Sequence, residues 1–396
     1  MTSPPLRAAN APDALTLARR LSLVLFATGA VYGLNLAFFP LWLSARGLDA
    51  AAIGLVSALP TFASIFVTPA VCAWIDRRDR LASGFVAFAL VVPIGFLAMA
   101  AAPTPLWVAV AAVIGATARA PLQSLGDALV FALVGKDRRV DYGAVRLWVS
   151  VAVLIAMGAG GFVLERVAAP SIIWIFVVVT ALGAGAALAL APSDRDIDAP
   201  IGLFAPGARL PRPSRALALV IAAAALVQGS HATLYTFASL GWRAQGESDG
   251  FIGLIWATGV AAEIGLFAIS GRIGVADKAR LFLVLGAGAA ALRWLIVAAF
   301  APSGWAALIL QAAHLASYGA THLGTLYLAA RLAPKDARAQ VQGWINAAVA
   351  ATTMGATALS GILWSLGPAV AYGAMAIMAA AGLSLALMTR TPARES

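Results

Sequence analysis

Twelve times in 396 residues the chain runs apolar for about the 20 residues a helix needs to cross the hydrocarbon core of a bilayer. The stretches fall at 21–44, 51–75, 82–101, 106–134, 146–165, 170–191, 215–240, 250–271, 281–300, 304–330, 339–364 and 368–389. In lipid every backbone N–H and C=O must be satisfied within the segment, so stretches of this kind predict helices. With 62% apolar and 11% charged residues and a mean hydropathy of +0.90, the chain holds more apolar surface than a soluble domain of this length can bury. The expected fold is all-α and membrane-integral, and an even number of spans places both termini on one side.

The formal net charge of +10 suggests nucleic acid until the charges are placed. Of 27 Lys and Arg, all but six fall on the side of the bilayer that holds the termini. The exceptions are Arg46, Arg166 and Arg243 in the opposite loops, and Arg119, Arg146 and Arg293 within spans. This is the positive-inside bias, which makes both termini cytoplasmic. The basic balance reports topology, and no nucleic-acid partner is expected. The first apolar run is too long for a signal-peptide core and is read as a span. The single cysteine, Cys72, excludes an intramolecular disulfide framework and reads as a packing residue. The expected location is a plasma membrane, of the bacterial inner-membrane kind, with the lipid bilayer as the surroundings of a monomer.

The chain also repeats itself. Ile53-Gly54-Leu55 aligns with Ile252-Gly253-Leu254, and Val31-Tyr32-Gly33 with Val227-Gln228-Gly229. Val145-Arg146-Leu147-Trp148 aligns with Val341-Gln342-Gly343-Trp344, and Trp107 with Trp305. The offsets all lie between 196 and 200 residues, which indicates a duplicated six-helix unit. Residues 1–191 form the first predicted bundle and 215–396 the second. The polar stretch 192–214, carrying Pro and Gly, reads as a cytoplasmic linker. Six plus six spans of this kind rock around a cavity near the bilayer midplane.

Eight ionisable side chains interrupt the apolar spans: Arg119, Asp127, Arg146, His231, Glu263, Arg293, His314 and His322. A charge at mid-bilayer costs roughly 2.5–3.5 kcal/mol on insertion scales, so such residues face a protein interior or a water-filled cavity. At 100° per residue, polar positions aimed at one cavity share a helix face. His314, Ser317, Tyr318, Thr321, His322 and Thr325 fall within an arc of about 140°. Arg119, Gln123 and Asp127 form a stripe, as do Gln228, His231 and Tyr235, and Tyr32 with Asn35. Glu263 shares a face with Trp256, Phe267 and Ser270. Against this, small polar residues such as Ser57, Thr61, Ser64 and Thr68 more often serve close helix packing. A lone transmembrane histidine is as often a satisfied interhelical hydrogen bond as a site, and Arg119 also fits neutralisation of a nearby acid. Pro60, Pro69 and Pro121 mark bends.

Asp127 and Arg146, on adjacent spans, are expected to form an ion pair, and Glu263, Arg293 and His314 a second set in the other half. An Arg clamps a carboxylate or hydroxyls, and a His or carboxylate exchanging its proton with cavity water couples a gradient to solute movement. Three intramembrane Arg against two acids favour an anionic solute.

Further motifs resemble a known family. Phe38-Phe39-Pro40-Leu41-Trp42-Leu43 and the Ile-Gly-Leu span ending in Asp76-Arg77 look like the lactose permease group of the major facilitator superfamily. Asp141-Tyr142-Gly143-Ala144-Val145-Arg146-Leu147-Trp148 is close to the phenylpropionate permease family. So are Leu226-Val227-Gln228-Gly229-Ser230-His231-Ala232, Val260-Ala261-Ala262-Glu263, Arg293-Trp294 and the region from His314 to His322.

The resemblance implies a twelve-helix proton symporter of two pseudo-symmetric bundles, with aromatic carboxylates such as 3-phenylpropionate as one solute class. It places Asp127 and Arg146 at the sugar-binding acid and Arg, and Arg293 and His314 near the proton site. The coupling Glu of lactose permease is Ser317 here, and Glu263 departs from that permease's eighth-helix acid. In the cytoplasmic loop signature, Cys72 and Asp79 stand where glycines are usual.

The residues and the resemblance together predict a proton-coupled importer of a small aromatic or hydrophobic monocarboxylate, with protons and the solute as partners and no cofactor beyond the proton gradient. Arg146 and Arg293 are the expected anion contacts, and Asp127, Glu263 and His314 the proton carriers. Tyr32, Asn35, Gln228, His231, Tyr235, Trp256, Tyr318 and His322 are expected to line the cavity, and Asp76, Arg77, Arg80 and Arg272 to sit in gating loops. Rival readings are a sugar or nucleoside symporter and a receptor that binds without transporting. A metalloenzyme fits poorly, because His314 and His322 stand about 12 Å apart along one helix and no clustered metal-ligand motif is present. Neither a metal site nor catalysis is expected.

Overall fold

The computed structural model describes residues 13–190, 213–334 and 337–389. Among these the secondary structure is helical, and eleven helices are long and apolar enough to cross a membrane. Spans one to six are Ala14–Ala45, Ala50–Asp76, Leu81–Ala101, Pro105–Lys136, Tyr142–Leu164 and Ile172–Leu188. The seventh is bent into Arg215–Gly229 and Ala232–Ala244; the eighth and ninth are Asp249–Ile269 and Ala279–Phe300. The tenth pass is broken into Gly304–Ala312, a π-helical turn at Leu315–Ala320, and Thr321–Leu332. Arg338–Leu366 and Pro368–Met388 complete the twelve. All but residues 213 and 214 of the expected linker lie outside the described residues.

Short polar side chains set the helix starts. Asp49 and Asp141 accept the backbone N–H of Ala52 and Ala144 at 2.8 and 2.7 Å, and Ser248 accepts that of Phe251 at 3.2 Å. Each satisfies an N–H left over by the first helical turn. At the opposite end, Arg20 donates to the Ala189 carbonyl at 3.0 Å and Arg280 to the Thr389 carbonyl at 2.6 Å, which ties down carbonyls at the ends of the sixth and twelfth spans.

The loop after the second span turns at Asp79, whose φ of 52° lies in the left-handed region. The matching loop of the second half uses Gly274, with φ 66°. A glycine is free of strain at such a position, and Asp is one of the few other residues that tolerate it. The departure from the loop signature therefore keeps the turn at some cost.

Spans one to six pack on one another, as do seven to twelve, and the two sets meet along second against eleventh, fifth against eighth and first against seventh. These seams close at the end opposite the termini, where glycines let backbones touch. A Cβ on Gly161 would meet the Asp249 carbonyl oxygen at 2.2 Å, and one on Gly253 the Met157 carbonyl oxygen at 2.3 Å. A Cβ on Gly54 would meet the Gly361 Cα at 2.8 Å. The Gly250 N–H donates to Glu165 Oε1 at 2.9 Å, and Ser239 donates to the Ala37 carbonyl. Glu165, at the end of the fifth span, is held below the ordinary carboxylate range by its hydrogen bonds to Ser248 and the Gly250 N–H.

Candidate transport cavity

Between the two sets of six lies a cavity of about 670 Å³. The first half contributes Tyr32, Arg119, Gln123, Arg146 and Ser150; the second contributes Tyr235, Trp256, Glu263, Phe267, His314 and Tyr318. A chamber of about 250 Å³ carrying Asn35, Gln228 and Thr357 shares Tyr32, Arg119, Tyr235 and Tyr318 with it. Another of about 290 Å³ carries Gln228, His322, Thr325 and Asn346 and shares Tyr318. The cavity is therefore mostly apolar and aromatic, with a few convergent polar groups.

The polar cluster of the second half is built by the break in the tenth pass. A π-helical turn inserts a residue relative to α-helical register, which splits the expected arc of six residues into two faces. His314, Tyr318 and His322 form an aromatic ladder, with ring centroids 5.1 and 6.2 Å apart and interplanar angles of 7° and 3°. Thr325 is buried at the wall of the 290 Å³ chamber, and Ser317 and Thr321 turn into the bundle and are buried. There Thr321 packs where Gly286 allows the ninth span to approach.

Hydrogen bonds fix the protons on this cluster. Arg293 Nη1 donates to His314 Nδ1 at 3.2 Å and to Ser317 Oγ at 3.1 Å, and its Nη2 donates to Gln311. A guanidinium only donates, so His314 Nδ1 accepts and the neutral ring carries its hydrogen on Nε2. That atom points at Glu263, with Oε2 3.6 Å away. His231 Nδ1 donates to the Val227 carbonyl at 3.0 Å, leaving Nε2 to accept from Ser317 Oγ at 3.2 Å. With both ring nitrogens engaged, His231 is a neutral histidine joining the seventh and tenth passes.

In the first half, Arg146 Nη1 lies 3.3 Å from Asp127 Oδ1, and the Tyr142 hydroxyl donates to the same oxygen at 3.3 Å. Arg146 reaches the cavity wall. Arg119 lines the main cavity and the 250 Å³ chamber, and makes no hydrogen bond or ion pair with any described residue.

Comparison with known proteins agrees with this architecture. Residues 18–374 match the MFS_1 like family. The chain belongs to this family. It is a multi-pass membrane transporter of the major facilitator type. It is 29% identical over 314 residues to a probable 3-phenylpropionic acid transporter of Escherichia coli strain K12, covering 78% of this chain and 81% of that relative. The fold resembles the crystal structure of nucleoside transporter NupG, with a TM-score of 0.76 at 15% identity over 94% of this chain and 98% of NupG. It also resembles a bacterial homologue of the lysosomal transporter Spinster, with a TM-score of 0.70 at 15% identity over 97% and 100% of the two chains.

For a transporter of this family, the expected pair Asp127–Arg146 and the set Glu263, His314 and Arg293 are each brought together. Tyr32, Tyr235, Trp256, Tyr318, Asn35, Gln228 and His322 all border the connected cavities. Arg293, expected as an anion contact, and His231, expected in the lining, do not. Arg293 is 3% exposed and His231 0%, because Arg293 is drawn behind the wall by its Nη bonds to Gln311, His314 and Ser317, with its Nε left without a partner, and His231 by its bonds to Val227 and Ser317. Arg77, Arg80 and Arg272 are exposed at the loops near the terminal end, and the side chain of Asp76 lies outside the described residues. Arg119 meets no acid among the described residues that it would neutralise. Its stripe with Gln123 and Asp127 was visible in sequence, but its lack of a partner was not.

Proposed function

We propose that this transporter moves a small aromatic monocarboxylate together with a proton, by alternating access, in a bacterial inner membrane with both termini cytoplasmic. On that orientation the cavity is sealed toward the outside by the glycine seams and faces the cytoplasm through Arg146 and Gln123.

The observation that carries the reading is Glu263 at the cavity wall, backed by a neutral His314 whose ring is fixed by Arg293. The solute's carboxylate would put a second negative charge in the same low-dielectric cavity as Glu263. Two like charges there repel, and a proton on Glu263 relieves the repulsion. Binding of the anion and the proton is thus mutually favourable, which is the linkage a symporter needs. Anion plus proton is also electrically neutral, so loaded and empty carriers cross the membrane potential with the same charge. The aromatic walls of Tyr235, Trp256 and Tyr318 offer ring faces and edges to an aryl group. The probable phenylpropionate transporter among the relatives supports the same solute class.

The test is uptake of 3-phenylpropionate into proteoliposomes with and without an inward-directed proton gradient. Accumulation driven by the gradient beyond that of protein-free liposomes, and inhibited by other aryl carboxylates, is the expected result. Gradient-independent uptake would remove the proton coupling, and competition by nucleosides or glycosides but not by carboxylates would favour a neutral, hydroxyl-rich solute.

A further inference from the structure

The three intramembrane arginines differ in what they already hold. Arg293 donates to Gln311, His314 and Ser317 and lies behind the cavity wall. Arg146 faces Asp127 at 3.3 Å. Arg119 faces the cavity and has no hydrogen-bond or ion-pair partner among the described residues. Asp127 offsets Arg146, and Glu263 offsets Arg293 through His314, so the excess positive charge inside the spans sits on Arg119. A guanidinium with five donors and no counter-ion is among the costliest groups a span can carry. The arrangement is tolerable when the counter-ion arrives from outside.

We propose that Arg119 is the residue that binds the solute's carboxylate. The guanidinium takes the two carboxylate oxygens through paired N–H donors, the geometry this side chain favours. Arg119 borders both the main cavity and the chamber nearer the sealed end, while Arg146 borders only the former. Arg119 belongs to the first half, and the aromatic side chains Tyr235, Trp256 and Tyr318 belong to the second. A solute with its carboxylate on Arg119 and its ring against those side chains therefore joins the two halves.

This assignment rests on the carboxylate reading above but is tested without transport. Purified full-length protein at neutral pH is titrated with 3-phenylpropionate and with its neutral amide, 3-phenylpropionamide. Wild type is expected to prefer the acid. Arg119→Gln should weaken acid binding roughly tenfold or more while leaving amide binding within about twofold, and Arg119→Lys should restore part of the preference. Because the amide still binds, loss of folding is separated from loss of the anion contact.

If Arg119→Gln keeps the wild-type preference, or Arg146→Gln abolishes it instead, the assignment is overturned and the carboxylate reading stands. If wild type binds neither ligand or prefers the amide, both fall. If the preference follows Arg119 but uptake ignores the proton gradient, the symport reading falls and Arg119 keeps its role.

Discussion

Adding one methyl group at Gly161 should open the sealed end of the cavity. The new Cβ would stand 2.2 Å from the Asp249 carbonyl oxygen, against an ordinary contact that begins at 3.4 Å. The obstacle is backbone, so no rotamer change can remove it, and the fifth and eighth spans must part by about 1 Å. Over-packing of this kind costs about 1–3 kcal/mol. The cost falls on the arrangement in which these spans touch. If the sealed arrangement exchanges with one in which they separate, the balance moves by roughly 5- to 150-fold. The assay uses a Cys72→Ala background with cysteine at position 35, in the chamber toward the seal. Labelling by an impermeant maleimide is measured from the side that lacks the termini. Gly161→Ala should raise the labelling rate several-fold, while Gly265→Ala on the eighth span, where a Cβ meets nothing within 4 Å, should leave it unchanged. Equal rates for Gly161→Ala and its parent would refute the seal.

Three other outcomes follow from the same geometry. Asp79→Gly should raise the thermal midpoint only slightly, because relief of roughly 1–2 kcal/mol at a left-handed position is partly offset by the cost of about 0.4–1 kcal/mol from glycine's freedom in the unfolded chain, and Asp79→Val should lower it. Glu165 bridges the halves as a carboxylate whose folded pKa is depressed, so the contact is complete above the ordinary glutamate range and is lost as pH falls below it. In the same Cys72→Ala background with cysteine at position 35, the labelling rate divided by that of the added Glu165→Gln variant at each pH, which cancels the thiol's own loss of reactivity in acid, should rise over that acidic window; a ratio that stays constant with pH would contradict the bridge. Arg293→Met leaves Gln311, His314 and Ser317 without their buried donor and should cost about 3 kcal/mol in a thermal or denaturant melt. A loss below about 0.5 kcal/mol would contradict the hydrogen-bond network.

The spans were legible because lipid imposes a length and a polarity on each helix, and the twelve apolar stretches leave little choice of fold. Asp127 with Arg146 was legible for a similar reason: two opposite charges at matching depth on adjacent spans must meet. The broken tenth pass was not legible. No proline marks it, and a uniform 100° per residue put Ser317 on the same face as Tyr318, whereas the π turn sends one into the bundle and the other to the cavity. Arg293 reads as an anion contact and His231 as a lining residue because sequence shows their polarity and not the hydrogen-bond partners that draw them behind the wall. Arg119 stood out least, since the absence of a partner is a fact of tertiary structure. The glycine seams were equally silent among 37 glycines, because close approach depends on which backbone lies opposite.

Our proposal makes Glu263, 3.6 Å from His314, the group that carries the proton with the solute. It is tested most directly by recording luminal pH in proteoliposomes as 3-phenylpropionate is added outside with no imposed gradient. Wild type should acidify the lumen faster than protein-free liposomes, through which the neutral acid itself leaks. Glu263→Gln should exchange internal for external solute yet acidify the lumen no faster than protein-free liposomes. Acidification by Glu263→Gln at the wild-type rate above that background would contradict the assignment.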